Sequence, residues 1–182
     1  MANQFITAKL KGVKEALDLY DKNLVRKAAR SALDKTGTWM KQKIVASVSS
    51  MYYVKPVDVR KAIEVKRTSM SSLSVKVIIK GLRLQLFKYF HAFRSGHGIS
   101  VNVSKINTMH IPGGFIQTSR KTGYRGTMKR KGEKRYPLKG LTGPAIPDLV
   151  GGQKIMPDLE AKAEAELEKK FWEEIDKRIT VK

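Results

Sequence analysis

The feature that most constrains the fold of this chain is a continuous apolar pattern between residues 23 and 51. Mostly apolar or small side chains recur there at steps of three and four, at Val25, Ala28, Ala29, Ala32, Leu33, Thr36, Trp39, Met40, Ile44, Val48 and Met51. This spacing is the period of one face of an α-helix. It predicts a helix that is capped by Asp21 or Asn23, ends near Ser50 and is roughly 40 Å long at about 1.5 Å per residue. Gly37 is the weak point of this helix, because glycine is a poor helix former.

Shorter patterns predict the remaining elements. Further helices are expected over residues 12–20 and 56–63 and from about Pro157 onward. Apolar alternation and turn residues predict strands or extended segments over residues 5–10, 73–80, 82–93 (as one strand or a strand with a bend), 99–103 and 115–116. This order indicates an α+β fold, in which long N-terminal helices pack on a small antiparallel β-sheet or sandwich and a C-terminal helix follows.

The charge distribution divides the chain into two parts. We expect residues 1–150 to form one α+β domain and residues 151–182 to add an amphipathic helix, whose apolar stripe is Leu159, Ala163, Leu167, Phe171 and Ile175. Residues 158–182 hold six basic residues and eight of the sixteen acids, a local net charge of −2, whereas the whole chain carries +21. This contrast predicts a separate helical element, packed either on the domain or on a neighbouring subunit.

The chain as a whole is strongly basic, with 37 Lys and Arg residues against 16 Asp and Glu residues and a pI of about 10.2. Residues 65–132 contain fourteen basic residues and no acid. Such a chain is expected to bind, or to pack against, something negative. The sequence contains no cysteine, which excludes disulfide and thiol chemistry. No apolar run approaches the roughly 18 residues of a membrane span, so we expect no membrane partner.

The basic residues are densest between residues 119 and 139, and this set is termed the basic cluster. Its members are Arg120, Lys121, Arg125, Lys129, Arg130, Lys131, Lys134, Arg135 and Lys139, with Glu133 as the only acid among them. The segment 119–135 is polar and contains several glycines, which predicts a long hairpin tip or loop. Tyr124 and Tyr136 lie between the cations, so the cluster is suited to phosphates and to stacking on an unpaired base. The alternative is a solvated loop that orders only against an acidic protein neighbour.

Patterns typical of catalytic and metal sites are missing from the sequence. None of His91, His97 and His110 has an Asp or Glu within twenty residues, and zinc sites combine several such ligands. There is no Gly-x-Ser-x-Gly nucleophile elbow and no Gly-x-x-x-x-Gly-Lys-Ser/Thr phosphate loop. We therefore expect no enzymatic activity, no cofactor and no metal, and we expect His91 to pack beside aromatic residues in a strand. No module that reads base sequence is recognisable either, so base-specific binding is not expected.

Three motifs in the second half of the chain follow one another in the order of a known family. The first is a strand pair at residues 81–87 and 98–103, the second is Ile111-Pro112-Gly113-Gly114-Phe115-Ile116, and the third is Lys134-Arg135-Tyr136-Pro137-Leu138 followed by Leu141-Thr142-Gly143-Pro144-Ala145-Ile146-Pro147. With the long N-terminal helix, this order resembles the minor tail protein Z group of phage tail-completion, or head–tail joining, proteins. The chain departs from the usual residues at Tyr136, Leu138 and Ala145, which are conservative changes.

This resemblance implies a structural virion protein at the head-proximal end, or neck, of a long phage tail, present in the host cytoplasm during assembly. It implies a homo-oligomeric and hexameric ring that connects tail to head along the DNA path. The partners implied are tail terminator, tail tube or head-completion proteins and the phage DNA in the lumen. We expect subunit contacts at Pro137, Leu138, Pro144, Ile146, Leu149, Phe171 and Trp172, with ordinary core packing as the alternative for the last two. Charge alone supports another function, a free nucleic-acid-binding protein without sequence specificity.

Overall fold

The computed structural model describes residues 2–67, 74–120, 122–151 and 155–180, and these residues form six helices and eleven strands. The helices are α1 (Val13–Leu19), α2 (Lys22–Met51), α3 (Pro56–Ala62), α4 (Leu86–Tyr89), α5 (Ile146–Gly151) and α6 (Ile155–Thr180). The strands are β1 (Ala2–Lys9), β2 (Ile63–Arg67), β3 (Ser74–Gly81), β4 (Arg83–Gln85), β5 (His91–Ser95), β6 (Gly98–Asn102), β7 (Met109–Pro112), β8 (Gly114–Thr118), β9 (Arg125–Arg130), β10 (Leu138–Gly140) and β11 (Thr142–Ala145). The mixture of helices and strands confirms the predicted α+β class.

Two residues included in the sequence-based predictions lie outside the described residues. They are Leu73, at the start of a predicted strand, and Lys121 of the basic cluster.

The helix predicted from the long apolar pattern is α2, and its start follows from its capping residue. The Asp21 carboxylate accepts hydrogen bonds from the backbone N–H groups of Asn23 at 2.8 Å and Leu24 at 3.2 Å. Asp21 thereby satisfies donors that the first turn of a helix leaves free. Most of the predicted apolar face is buried, while Trp39 is half-buried and Met51 is exposed.

The C-terminal helix α6 lies antiparallel along α2. Lys35 in the first half of α2 pairs with Glu174 near the end of α6, whereas Met51 at the end of α2 shares a groove with Ile155 at the start of α6. The predicted apolar stripe of α6 is 5% exposed or less at every position: Leu159, Ala163, Leu167, Phe171 and Ile175. Within one chain, α6 therefore packs on the helix that forms the centre of the domain.

A three-stranded antiparallel sheet, in the order β1–β3–β2, covers another side of α2. Val75, Val77 and Ile79 of the central strand are fully buried. A Cβ atom added at Gly37 would lie 2.6 Å from a methyl group of Val65 in β2 and 2.9 Å from one of Val75 in β3. Glycine at this position therefore lets the helix approach the sheet closely, which gives Gly37 a packing role that helix propensity did not indicate.

The second half of the chain adds three small antiparallel sheets, in the orders β4–β11, β5–β6–β7 and β8–β9–β10. Residues 82–93, predicted to be a strand or a strand with a bend, form β4 and β5 separated by the single helical turn α4. Leu86 and Phe90 are both 4% exposed, and the Phe90 N–H donates to the Leu86 carbonyl at 3.1 Å. The hydrogen bond closes one helical turn, which places these two side chains one above the other on the same buried side.

Candidate functional site

The basic cluster lies on the β8–β9–β10 sheet and on the two loops of that sheet. The segment 119–135, predicted to be a hairpin tip or loop, contains the strand β9, which pairs with β8 on one side and with β10 on the other. Residues 125–130 do not alternate between apolar and polar side chains, so the usual sign of a strand is missing. The cluster is therefore carried by a hydrogen-bonded sheet with two loops, 119–124 and 131–137.

One face of β9 is turned toward the core. Thr127 is 3% exposed, and its hydroxyl donates a hydrogen bond to the Leu141 carbonyl at 3.2 Å. Ile116, which is opposite Thr127 in the sheet, also packs against the core. On the same face the Arg125 guanidinium lies 4.8 Å from the ring centre of Phe87, a distance at which cation and ring attract each other. These contacts attach the sheet firmly to the rest of the domain.

Two lysines of the cluster face each other across neighbouring strands. Lys129 of β9 is on the same face as Thr127, and the register places Lys139 of β10 directly opposite it. Cβ atoms in such positions are about 4.5–5.5 Å apart, and like charges there repel. Both lysines are exposed, and neither forms an ion pair within the described parts of the chain. Two lysines without an ion pair on adjacent strands are suited to binding phosphate or carboxylate oxygens.

The opposite face of the same sheet forms a cleft of about 480 Å³, termed the Arg/Tyr cleft. Its lining residues are Gln117, Thr118, Ser119, Arg120, Tyr124, Met128, Arg135, Tyr136 and Leu138. Arg120 and Tyr124 belong to the loop 119–124, whereas Arg135 and Tyr136 belong to the loop 131–137. The second loop must therefore fold back over the sheet to bring the four side chains to one cleft. None of the nine lining residues is acidic, so the cleft combines two guanidinium groups and two phenol rings without a counter-charge.

The structure places most of the predicted contact residues on the surface of this one sheet and its loops. Eight of them are exposed: Arg120, Arg125, Lys129, Arg130, Lys131, Lys134, Arg135 and Lys139. The fold divides them into subsets that could not be distinguished in the sequence. The lysine pair lies on one face of the sheet, and the arginines of the Arg/Tyr cleft lie on the other. Contact of these residues with DNA or with an acidic partner stays a prediction.

The residues predicted for subunit contacts fall into two groups. Ile146, Leu149 and Phe171 are 4%, 3% and 0% exposed and belong to the core of the chain itself, so their side chains are already covered without a neighbour. The other four are accessible: Pro137 is exposed, and Leu138, Pro144 and Trp172 are half-buried. Subunit contact by these four residues stays a prediction.

The residues that shape the Arg/Tyr cleft could hardly be predicted from the sequence. Gln117 and Met128 form part of its lining, and neither stands out in composition or charge. Gly126 has a specific role, since a Cβ atom there would lie 2.7 Å from a ring carbon of Tyr124. Tyr124 and Gly126 are two residues apart, and residues at this spacing lie on the same face in a strand. The spacing could therefore have indicated the contact between them only if β9 had been predicted as a strand.

The histidines form no comparable site. His91 packs beside the rings of Tyr53 and Phe93, with 6.4 Å and 5.8 Å between ring centres, which confirms the predicted aromatic surroundings. His110 Nδ1 lies 3.4 Å from the hydroxyl oxygen of Ser100. In the part of the chain that the structure describes, no group of three or more His, Asp or Glu side chains could hold a metal ion. Among these same residues, no helix is both long and apolar enough to cross a membrane.

Comparison with protein families connects this architecture to a known group. The family model described as Prophage minor tail protein Z (GPZ) matches residues 10–181 of the 182-residue chain. The matched region runs from before α1 to the end of α6 and includes the basic cluster. A search of the curated proteins and a search of the solved structures returned no significant match. The chain therefore belongs to the prophage minor tail protein Z family, a family of phage tail proteins and hence of virion components.

Proposed function

We propose that this protein is a structural, non-enzymatic subunit that completes the head-proximal end of a phage tail and faces the DNA path there. Family membership supports the tail role. The observation that favours DNA is the pair formed by Lys129 and Lys139, two exposed residues that lie opposite each other and form no ion pair within the described residues. Repulsion between them is relieved when an anion binds, and the phosphate backbone of DNA supplies anions at regular spacing.

The charge balance favours DNA over a second copy of the chain as the neutralising partner. Each copy carries 37 basic and 16 acidic residues, so copies of the chain cannot neutralise one another. Several of the acids already form ion pairs within the chain: Glu64, Glu164, Glu166 and Glu174. Double-stranded DNA carries one negative charge per about 1.7 Å of its axis and is thus a sufficient source of counter-charge.

We further propose that the copies assemble into a ring, hexameric as the family resemblance implies. A ring repeats each patch of the subunit around its axis, so the lysine pairs of successive copies would form one positive surface around the DNA. Pro137, Leu138, Pro144 and Trp172 are accessible for contacts between neighbouring copies. Tail terminator, tail tube or head-completion proteins are the partners that such a ring would meet along the axis.

The position in the virion is tested by electron microscopy of phage that carries a terminally tagged copy of this chain. Antibody label is expected at the head-proximal end of the tail, in virions and in isolated tails. Label at the distal end, or purified virions without the protein, would contradict the proposed role.

The role of the lysine pair is tested with the double variant Lys129→Gln/Lys139→Gln. The matched control is Lys14→Gln/Lys27→Gln, which removes the same charge from exposed positions on α1 and α2. Loss of two phosphate contacts should reduce the slope of log binding constant against log salt by about 1.8 for duplex DNA. The control should keep the slope of the native protein, and equal slopes for the two double variants would contradict the assignment.

A second function, non-specific nucleic-acid binding by the free protein, is favoured by the arginine and tyrosine side chains of the Arg/Tyr cleft. It predicts the same DNA binding in solution, but no copies in purified virions. Quantifying the protein in virions by immunoblotting distinguishes the two functions.

A further inference from the structure

We infer that the Arg/Tyr cleft binds an unpaired nucleotide, with its base stacked on Tyr124 and its flanking phosphates on Arg120 and Arg135. The inference rests on one part of the proposed function, namely that the β8–β9–β10 sheet contacts nucleic acid. It concerns the face opposite the lysine pair, and it adds a preference for single strands that phosphate binding alone would not create.

The cleft has the chemistry of single-strand recognition. Proteins that bind single strands combine cations along the backbone with aromatic rings against which bases stack. Here Arg120 and Arg135 supply delocalised cations, and Tyr124 and Tyr136 are 42% and 61% exposed. The arginines also suit stacking, because a planar guanidinium can lie on a base as well as bind a phosphate.

Tyr124 is held in place before any ligand arrives. Its ring carbon Cε1 lies 2.7 Å, and its hydroxyl oxygen 2.9 Å, from the point where a Cβ atom of Gly126 would be. The ring therefore packs directly over the backbone of β9. The loop behind it is closed by two hydrogen bonds, from the Ser119 N–H to the Tyr124 carbonyl at 2.7 Å and from the Gly123 N–H to the Ser119 carbonyl at 2.9 Å. A ring that is already ordered loses little entropy when a base binds to it.

The size and shape of the cleft favour an unpaired base over a duplex. Its volume of about 480 Å³ lies within the roughly 300–1,000 Å³ of small-ligand pockets. In a duplex both faces of each base are covered by neighbouring base pairs, so a duplex offers Tyr124 no free base face away from its ends. A duplex can still bind through its phosphates, to the lysine pair or to the rim of the cleft. The stacking contribution is thus available only to a single strand.

An acidic peptide is the competing occupant, because carboxylates also bind arginine. Its carboxylates would bind the guanidinium groups but would offer no aromatic face to stack on the exposed ring of Tyr124. The charge excess of +21 also favours a polyanion with closely spaced charges over a peptide whose carboxylates are separated by uncharged side chains. The observations therefore favour nucleic acid.

The test compares a fluorescein-labelled oligothymidylate with a duplex of the same length, by fluorescence anisotropy at about 50 mM salt. Tyr124→Ala should weaken binding of the single strand about tenfold, as expected for the loss of one stacked base, and should change duplex binding less than twofold. Gly126→Ala should have a similar effect, because the added methyl group displaces the ring. Tyr124→Phe, which keeps the ring, should bind as the native protein does.

Tyr53→Ala is the matched control, since Tyr53 is 40% exposed and lies outside the cleft. It should leave both affinities unchanged. Circular dichroism and urea unfolding show whether each variant is folded, and Tyr124→Phe reports on the site even if Tyr124→Ala proves unstable. Arg120→Gln/Arg135→Gln should reduce the salt slope for the single strand by about 1.4.

Two results would overturn the inference. One is an unchanged ratio of single-strand to duplex affinity in Tyr124→Ala and Gly126→Ala. The other is polyglutamate binding that depends on Tyr124 while oligothymidylate binding does not, which would identify an acidic peptide as the occupant. Either result would leave the tail role intact, because that role is judged from the position of the protein in the virion.

Discussion

Glu174 is the residue whose substitution tests the packing of α6 on α2 most directly. Its side chain is 6% exposed and accepts hydrogen bonds from Arg178, one turn further along α6, and from Lys35 on α2. Ser31 on α2 is a third donor. The carboxylate therefore links the two longest helices of the protein through charge-assisted hydrogen bonds.

The magnitude follows from the pKa of this carboxyl group. Burial alone would raise the pKa of Glu174, but the hydrogen bonds from Arg178, Lys35 and Ser31 lower it from 4.5 to about 2. At 1.36 kcal/mol per pH unit, this difference corresponds to at most about 3 kcal/mol of folding stability. Lys35 is 49% exposed and Arg178 is 30% exposed, so water screens part of the interaction. We expect a net contribution of about 1–2 kcal/mol.

The sign of the pH dependence follows from the lowered pKa. A carboxyl group with a lower pKa in the folded state stabilises the fold fully above its unfolded pKa, here 4.5. The contribution is lost as the pH falls from 4.5 toward about 2, because protons then bind the unfolded state in preference. Glu174→Gln removes the titrating group and so removes this part of the pH dependence.

The assay is urea unfolding followed by circular dichroism at several pH values between neutral and acidic. Glu174→Gln should lower the free energy of unfolding by about 1–2 kcal/mol at pH 7, because two partly solvated cations lose their carboxylate. The gap between native protein and variant should shrink as the pH approaches the lowered pKa of Glu174. Glu173→Gln, at the exposed neighbouring position, is the control and should change stability by less than about 0.5 kcal/mol.

Two outcomes would refute the reasoning. A gap between the native protein and Glu174→Gln that stays constant from neutral pH to pH 3 would show that the carboxylate is not stabilised in its charged form. A Glu174→Gln variant as stable as Glu173→Gln would show that the link between α2 and α6 contributes nothing.

Three further substitutions test other contacts by urea or thermal unfolding. Gly37→Ala should destabilise the protein by about 1–2 kcal/mol, because overlap with the buried methyl groups of Val65 and Val75 outweighs the gain of about 1 kcal/mol in helix propensity. Asp21→Ala should cost about 1 kcal/mol, because it removes the acceptor for two backbone N–H groups at the start of α2. Leu167→Ala should cost about 2–5 kcal/mol, because the side chain is fully buried and its loss leaves a cavity.

Each of these substitutions has a control at an exposed position nearby. Thr38→Ala should change stability by only a few tenths of a kcal/mol, and a Gly37→Ala variant that is equally tolerated would disprove the close approach of helix and sheet. Asp18→Ala removes an acid that caps no helix, so it should leave the free energy of unfolding almost unchanged. If Asp18→Ala lost as much stability as Asp21→Ala, the change in net charge would explain both losses and the cap would not be needed. Glu168→Ala on the exposed side of α6 should likewise leave the free energy of unfolding almost unchanged. A Leu167→Ala variant that loses no more stability than Glu168→Ala would contradict the burial of α6 in the core.

The sequence predicted α1, α2, α3 and α6 but not the short helices α4 and α5, because the information that specifies the first four is local. The apolar positions of α2 and α6 recur within a single turn of their neighbours, and Asp21 caps a helix that starts at the next residue. β3 was predictable for the same reason, since Val75, Val77 and Ile79 occupy every second position along one short segment. In each case, the pattern of nearby residues shows which face of the element will be buried, independently of which other element packs against that face.

β9 and the role of Gly37 were not predictable, because they depend on what lies opposite. Residues 125–130 have no apolar alternation, and they form a strand because β8 and β10 supply hydrogen-bonding partners on both sides. Gly37 looks like a defect in a helix until the methyl groups of Val65 and Val75 are placed against it. Both depend on contacts between segments, for which a single sequence has no periodic signal.

By itself, the sequence determined that this protein is strongly basic, that its cations concentrate between residues 119 and 139, and that two long amphipathic helices flank them. Only the tertiary structure decided which cations act together. Strand register places Lys129 opposite Lys139 on one face, and the fold of the loop 131–137 brings Arg135 and Tyr136 to Arg120 on the other. The physical reason is that charge is a property of each residue, whereas a binding site is a set of distances between residues that only the folded chain can set.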